Sequence, residues 1–340
     1  MSSIVCFGEI LLRLSPLNGY ERISKTNELK MDYAGAESNV AASLSLLGHQ
    51  AQYVTRLPPH GVGDAAIRSL REFGVKTDHI VRGGKRVGTY FIEHGSSIRP
   101  TRIIYDREHS AIADIQADAF DWHEILQKQD WFVSTGITPA LSANCAEACR
   151  NALITAREMG VQTAFDLNFR RSLWTLEQGR ATLQPMLEHV DILFSNIGSA
   201  SDVLDIQPDH QGDSWEDLVI ATRETAEKLM KHRAFRWVAL TIRDHNSATE
   251  NDWAGMLYDG TNVYESRRYR FQIIDRLGGG DAFMAGIIHG LSQGWDGQKT
   301  VEFATAASAI KHTIPGDINI STEEEILEVA EGNVSGRVKR

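Results

Sequence analysis

Cysteine is scarce in this chain: only Cys6, Cys145 and Cys149 occur among 340 residues, and none belongs to a CxxC unit. Three thiols cannot all pair with one another, so no disulfide framework or paired-cysteine zinc site organises the fold. Cys145 and Cys149 are spaced to share one helix face, where thiols act as small buried hydrophobes. Positive charge is short as well. Lysine and arginine number 35 against 45 acids, a formal net charge of -10, which opposes binding to nucleic-acid phosphates or anionic membranes. The one basic run is the tail "GRVKR" at 336–340. No uninterrupted apolar stretch is long enough to span a bilayer, and "MSSIVCFGEILLRL" at 1–14 has no basic start and is interrupted by Glu9 and Arg13. These absences predict a soluble, cytoplasmic protein with no nucleic-acid or membrane partner.

Several signature motifs are missing too. There is no GxxxxGK[ST] phosphate loop, and "HEILQ" at 123–127 lacks the second histidine of HExxH; the twelve histidines are scattered. "GVGDAA" at 61–66 imitates a dinucleotide fingerprint, but "LPPH" separates it from the preceding strand and no acid closes a second strand at the required distance. It reads as a loop and helix start. The sequons Asn319-Ile-Ser321 and Asn333-Val-Ser335 carry no weight without a secretory signal.

What is present, with 42% hydrophobic residues, suffices for a full core. Short apolar runs at 3–7, 51–55, 130–134, 162–166, 191–195 and 237–242 read as strands buried on both faces. Between them, "ESNVAASLSLLG", "GDAAIRSLREFG", "SANCAEACRNALITAREMG" and "EDLVIATRETAEKLMKH" have helical spacing, and several close on glycine. This alternation predicts a three-layer α/β core with a mainly parallel sheet. The stretches of about 11–34 and 85–111 break the pattern and read as a small β-rich appendage on a single domain spanning 1–340. Residues 245–252, "HNSATEND", read as a polar turn, followed by a hairpin over 253–265 closed by Asp259-Gly260.

The stretch "DRLGGGDAFMAGIIHG" at 275–290 carries chemistry. Gly278, Gly279 and Gly280 permit positive φ and close approach, and their N–H groups, with those of the following helix turn, make an anion site. An acid there would repel an anion, which makes sense if Asp281 faces a neutral hydroxyl and takes its proton as that hydroxyl attacks a phosphoryl group. The competing reading is a plain helix start, with Asp281 serving as a cap. Asp275, at the end of a strand-like run, is positioned to hold another hydroxyl of the same substrate.

These residues resemble the PfkB-type, or ribokinase-like, carbohydrate kinases. "DRLGGGDAFMAG" is similar to that family's C-terminal signature, and "YAGAESNVAASLSLLG" at 33–48 to its N-terminal one. Within the family, "GITPALS" at 136–142, "DLNFRRSLW" at 166–174 and "KHTIPGDIN" at 311–319 resemble segments of the 2-keto-3-deoxygluconate kinases. The resemblance implies ATP-dependent, magnesium-assisted phosphorylation of that sugar acid to its 6-phosphate, a β-sheet lid, and a homodimer formed through the lid. It implies sugar contacts from Gly35, Ala36, Asn39, Tyr90, Tyr105, Arg107 and Arg170, and nucleotide contacts from Asn196, Thr241, His312 and Asn319.

A sugar acid carries a carboxylate, for which a forked, permanently charged arginine is suited, although Arg171 beside Arg170 leaves the assignment open by one residue. Where the family often carries an NxxE element for magnesium, this chain has Asn196-Ile197-Gly198-Ser199, so no metal ligand is assigned and the ion is expected on nucleotide phosphates and water. Two alternatives stand beside this reading: the same chemistry on fructose, ribose or a nucleoside, and a non-catalytic sugar-binding regulator.

Overall fold

A computed structural model describes residues 1–334; the basic tail at 336–340 and Ser335 of the second sequon lie outside the described residues. Strand β1 (Ser3–Phe7) opens the chain, and β2 (Leu11–Pro16) and β3 (Leu29–Ala34) leave the core for a separate sheet. Helix α1 (Ala36–Leu46), β4 (Gln50–Leu57), α2 (Gly61–Glu72) and β5 (Ile80–Arg82) return to it. A second excursion, β6 (Thr89–Glu93) and β7 (Arg102–Asp106), completes the small sheet. The alternation resumes with α3 (Trp122–Leu126), β8 (Trp131–Thr135), α4 (Ala143–Glu158), β9 (Gln162–Asp166), α5 (Leu176–Met186) and β10 (Ile192–Ser195). It continues through α6 (Ile197–Leu204), α7 (Trp215–His232) and β11 (Trp237–His245). Three further strands, β12 (Glu250–Tyr258), β13 (Val263–Glu265) and β14 (Tyr269–Gln272), precede α8 (Gly279–Ser292), α9 (Gly297–Lys311) and α10 (Glu323–Ala330).

The main sheet runs β13-β12-β11-β10-β9-β8-β1-β4-β5, with β14 also paired to β12. From β5 to β11 every pairing is parallel, and β12 turns antiparallel. β1 shows why both faces are covered. Val5 and Phe7 enter a cluster with Cys145, Cys149 and Leu153 of α4, whereas Ile4 and Cys6 enter another with Val40, Leu44 and Ile287 of α1 and α8. The strand's period of two thus feeds two helical layers, which is what strands apolar throughout require. All three cysteines are buried and unpaired, and burial pushes the Cys145 and Cys149 thiols up to about 12.

The small sheet has the order β3-β2-β6-β7 and comes from the two stretches that interrupt the α/β alternation. Its inner face carries an apolar cluster of Leu11, Ala34, Tyr90 and Ile92. No helix among the described residues is long and apolar enough to cross a membrane.

Two readings of the sequence need correction. "HNSATEND" is not wholly a turn: β11 and β12 run into it, and Asn251 and Asp252 are buried strand residues. Asp252 reads as a turn acid by composition, but Arg268 at 2.7 Å and Arg270 at 2.8 Å neutralise it, which is how a strand can bury it. The hairpin over 253–265 closes through the four residues between Tyr258 and Val263, with Gly260 at φ 89°. Helix α9 escaped notice because it is buried nearly all round, so its apolar residues show no 3.6-residue stripe. "GVGDAA" does open a helix, α2, rather than a nucleotide turn.

Candidate active site

The C-terminal ends of β9, β10 and β11, the first turn of α8 and the inner face of the small sheet enclose a cleft of about 860 Å³. Ligands of parallel sheets bind at this end because the loops and helix N-termini converge there. The glycine run forms one wall. Gly278 has φ 79°, and a Cβ there would overlap the carbonyl oxygen of Asp317. A Cβ on Gly279 would overlap the His312 ring, whereas Gly280 faces open space. Two glycines are therefore demanded by close approach, and the third leaves its amide unshielded.

Helix α8 begins at Gly279 with Gly278 as its cap residue and no side chain satisfying its first-turn N–H groups. Asp281 is inside the helix, not at the cap. Its carboxylate instead accepts a hydrogen bond from Asn39 Nδ2 at 2.7 Å, and Asn39 Oδ1 accepts from the Gly35 amide at 3.3 Å. Burial pushes the Asp281 carboxyl up to about 7, with the Asn39 bond opposing that rise. The helix-cap alternative accordingly fails here: the acid is held over the cleft by a helix from the other signature. Gly35 owes its identity to the Glu9 carbonyl oxygen, which a Cβ would overlap.

At the opposite wall, Tyr90, Tyr105 and Arg107 reach the cleft from the small sheet and its following loop. Tyr90 and Tyr105 have ring centroids 5.9 Å apart, and the Arg107 guanidinium lies 5.3 Å from the Tyr105 ring centre. Arg107 Nε donates to Glu9 at 2.8 Å, Ser110 also donates to Glu9, and the Arg107 charge is thereby neutralised within the protein. The Tyr90 hydroxyl donates to Asp317 Oδ2 at 2.9 Å.

Arg170 differs from Arg107. It follows β9, is exposed at the cleft, and among the described residues has no carboxylate within ion-pair distance, whereas Arg171 pairs with Asp202 at 2.5 Å. Of the two neighbours, Arg170 lines the cleft and Arg171 does not. Ala36, Thr241 and Asn196 also line the cleft. Asn196 caps α6 by accepting from the Ser199 amide at 2.9 Å, so Ser199 is engaged through its backbone.

Three expected contacts are otherwise placed. Asp275 does not line the cleft. Only 1% of it is accessible, and its carboxylate is turned to protein donors: Arg13 at 2.5 Å, the Gly316 amide at 3.0 Å and the Leu277 amide at 3.2 Å. Asn319 is buried away from the cleft and accepts from the Ser321 amide at 3.2 Å. His312 reaches the cleft, but its ring lies 5.0 Å from Trp253 and 4.9 Å from Phe271, and its Nδ1 donates to the Ser308 carbonyl at 2.7 Å. Burial holds this imidazole down at about 3, so it is a neutral packing group beneath Gly279.

Sequence reasoning missed other acids in the wall. Glu37 accepts from the Thr135 amide and from the hydroxyls of Thr135 and Thr138 at 2.8–3.0 Å, and burial pushes it up to about 7. Asp166 is pushed up to about 6 by burial. Asp317 lines the cleft from the segment at 311–319. Each lies inside a quoted motif; Asp166 accepts from the nearby Asn168 amide at 3.0 Å, but the partners of Glu37 and Asp317 lie about a hundred residues or more away in the chain. Among the described residues no group of three or more acids, histidines or cysteines is arranged to hold a metal ion.

The site and its fold define a phosphoryl-transfer enzyme on a doubly wound α/β core. The chain belongs to the pfkB family of carbohydrate kinases, which it matches over residues 1–324. It is 32% identical to a 2-dehydro-3-deoxygalactonokinase of Haloferax volcanii, with 98% of each chain covered. The crystal structure of a 2-dehydro-3-deoxygluconokinase from Thermotoga maritima is similar at a TM-score of 0.94 and 43% identity, covering 98% of this chain and all of that one. A PfkB family carbohydrate kinase structure from Listeria grayi matches with TM-score 0.87 and 32% identity over 97% of this chain and 99% of its own.

The raised Asp281 carboxyl makes a stability prediction. Between the ordinary carboxylate range and about pH 7 the unfolded chain releases this proton and the folded chain keeps it, so stability falls as pH rises through that window. Asp281→Asn removes the penalty. Calorimetry should find the variant more stable than wild type at pH 8, with the difference gone by pH 4. An equal difference at both pH values would mean that Asp281 ionises without hindrance.

Proposed function

We propose that this carbohydrate kinase transfers the γ-phosphoryl group of ATP to the 6-hydroxyl of 2-keto-3-deoxygluconate. The observation that carries the reading is Asp281, uncommitted to helix capping, held by Asn39, and standing on the first turn of α8 beside unshielded glycine amides. The primary hydroxyl of the sugar acid attacks the γ-phosphorus, its proton passes to Asp281, and the bond from that phosphorus to the ADP oxygen breaks. Amides of Gly278 to Gly280 and the α8 dipole oppose the charge that gathers on the transferred oxygens. An ordinary aspartate is a weak base near neutrality, whereas one raised to about 7 takes a proton readily once ionised.

The choice of a sugar acid rests on Arg170, which faces the cleft and among the described residues has no carboxylate within ion-pair distance, while Arg107 is occupied by Glu9. The names of the similar kinases from Haloferax volcanii and Thermotoga maritima point the same way. Asn196 and Thr241, which line the cleft, are assigned to the nucleotide, with His312 supporting the loop beneath. Magnesium would arrive on the nucleotide phosphates and keep its waters, as the hydration of this hard ion favours. The small sheet serves as a lid that excludes water from the phosphoryl group. Three unpaired thiols fit the reducing cytoplasm.

Turnover should rise with pH through about 7 as Asp281 loses its proton. Asp281→Asn should lower kcat by roughly 10²–10⁴-fold, the usual contribution of a positioned base, with little change in sugar binding. Near-normal kcat in that variant would remove Asp281 from the chemistry.

Arg170→Ala should weaken use of 2-keto-3-deoxygluconate and its galacto epimer by about 1.5–3 kcal/mol, the range for a hydrogen bond to a charged group, and spare neutral sugars such as fructose. Equal losses on acid and neutral sugar would count against carboxylate recognition.

The outward side chains Leu29, Met31 and Ile104 of the edge strands β3 and β7, the last two more than half exposed, supply an apolar face for a homodimer through the lid. Light scattering should report a dimer that Met31→Glu dissociates. A monomer in the wild type at working concentration would exclude it.

A further inference from the structure

Arg13 lies on β2 of the small sheet, yet its guanidinium is buried in the core of the molecule. It forms ion pairs with Asp275 at 2.5 Å and with Asp317, two acids separated from it by more than 250 residues, and His94 Nε2 lies 3.3 Å away. Both acids border the glycine run. Asp275 accepts from the Leu277 amide, and Asp317 places its carbonyl oxygen where a Cβ of Gly278 would be. The backbone is tied from below as well: the buried Lys311 ammonium donates to the carbonyls of Asp275 at 3.3 Å and Ile314 at 3.2 Å.

A second contact connects the same two parts independently of charge. Leu277, the residue before Gly278, packs against the small sheet's cluster of Leu11, Ala34, Tyr90 and Ile92. The loop that shapes the anion site is thus gripped by the sugar-covering sheet through one bidentate cation and one apolar side chain. A planar guanidinium can hold two carboxylates at fixed angles, which a single ammonium cannot.

The geometry points to Arg13 as a positioning residue that fixes the glycine run to the small sheet, so that the anion site is in register for transfer only while that sheet is seated. This rests on Gly278 to Gly280 being the anion site. Arg13 touches neither reacting group in this arrangement; it acts through Asp275, Asp317 and Leu277. Displacing the amides by about 1 Å is enough to cost on the order of 10²-fold in rate.

The test compares Arg13→Lys, Asp317→Asn and the double variant with wild type, by steady-state kinetics with 2-keto-3-deoxygluconate and ATP and by amide hydrogen exchange without substrates. Arg13→Lys should lower kcat by roughly 10–100-fold with the KM for the sugar acid unchanged, the pattern of an interaction that matters at the transition state. Exchange should quicken at 277–281 and stay at wild-type rates in β1, β8 and β9. Asp317→Asn, which keeps its shape, should reproduce both effects and carries the test if Arg13→Lys does not fold. The double variant should lose little more than either single one, because both break one linkage. Additive losses, wild-type kcat, or exchange quickening throughout the central sheet would overturn the assignment. Exchange is read without substrate, so a wild type inactive on this sugar acid would refute the substrate and leave the linkage measurable.

Discussion

The proposed reaction depends on keeping one carboxylate, Asp281, partly shielded from water while still facing the cleft. Burial alone would leave it a neutral acid of no use as a base, and full exposure would return it to the ordinary aspartate range. The single hydrogen bond from Asn39 holds it between these limits. That bond joins residues 242 positions apart, so α1 and α8 must pack side by side. Their packing in turn requires the main sheet to present an apolar face to both, which Ile4 and Cys6 of β1 help to supply.

Charge is distributed around the cleft with the same economy. Glu9 is matched by Arg107, Asp317 and Asp275 by Arg13, and Asp202 by Arg171. Glu37 is satisfied by threonine donors and held up near 7, where a fraction stays neutral. Buried acids without such partners would be intolerable. In the proposed reaction these pairings leave Asp281 for the reacting hydroxyl and Arg170 for a substrate anion.

The glycine run shows how fold and chemistry share residues. Gly278 and Gly279 are fixed by the close approach of the segment that carries His312 and Asp317, so the amides lie against a rigid backing. His312, expected at the nucleotide, is part of that backing, and so is Asp275, expected at the sugar. Both carry residue types that bind ligands in other settings, and only their burial and partners reveal the structural role.

The sequence by itself determined the alternation of buried strands and helices, the two β-rich interruptions, and the glycine–aspartate element that opens α8, because each is a local pattern of periodicity or backbone freedom. It could not separate Arg170 from Arg171, since neighbours look alike until one of them meets Asp202. It read Asp252 as a turn residue, since composition shows polarity but not the two arginines that neutralise it. It gave Arg13 and Asp317 no place at the site, since these partners meet only when the small sheet folds back over the core. Which acids are paired with which cations is a property of distances between remote parts of the chain, and those only the tertiary structure decided.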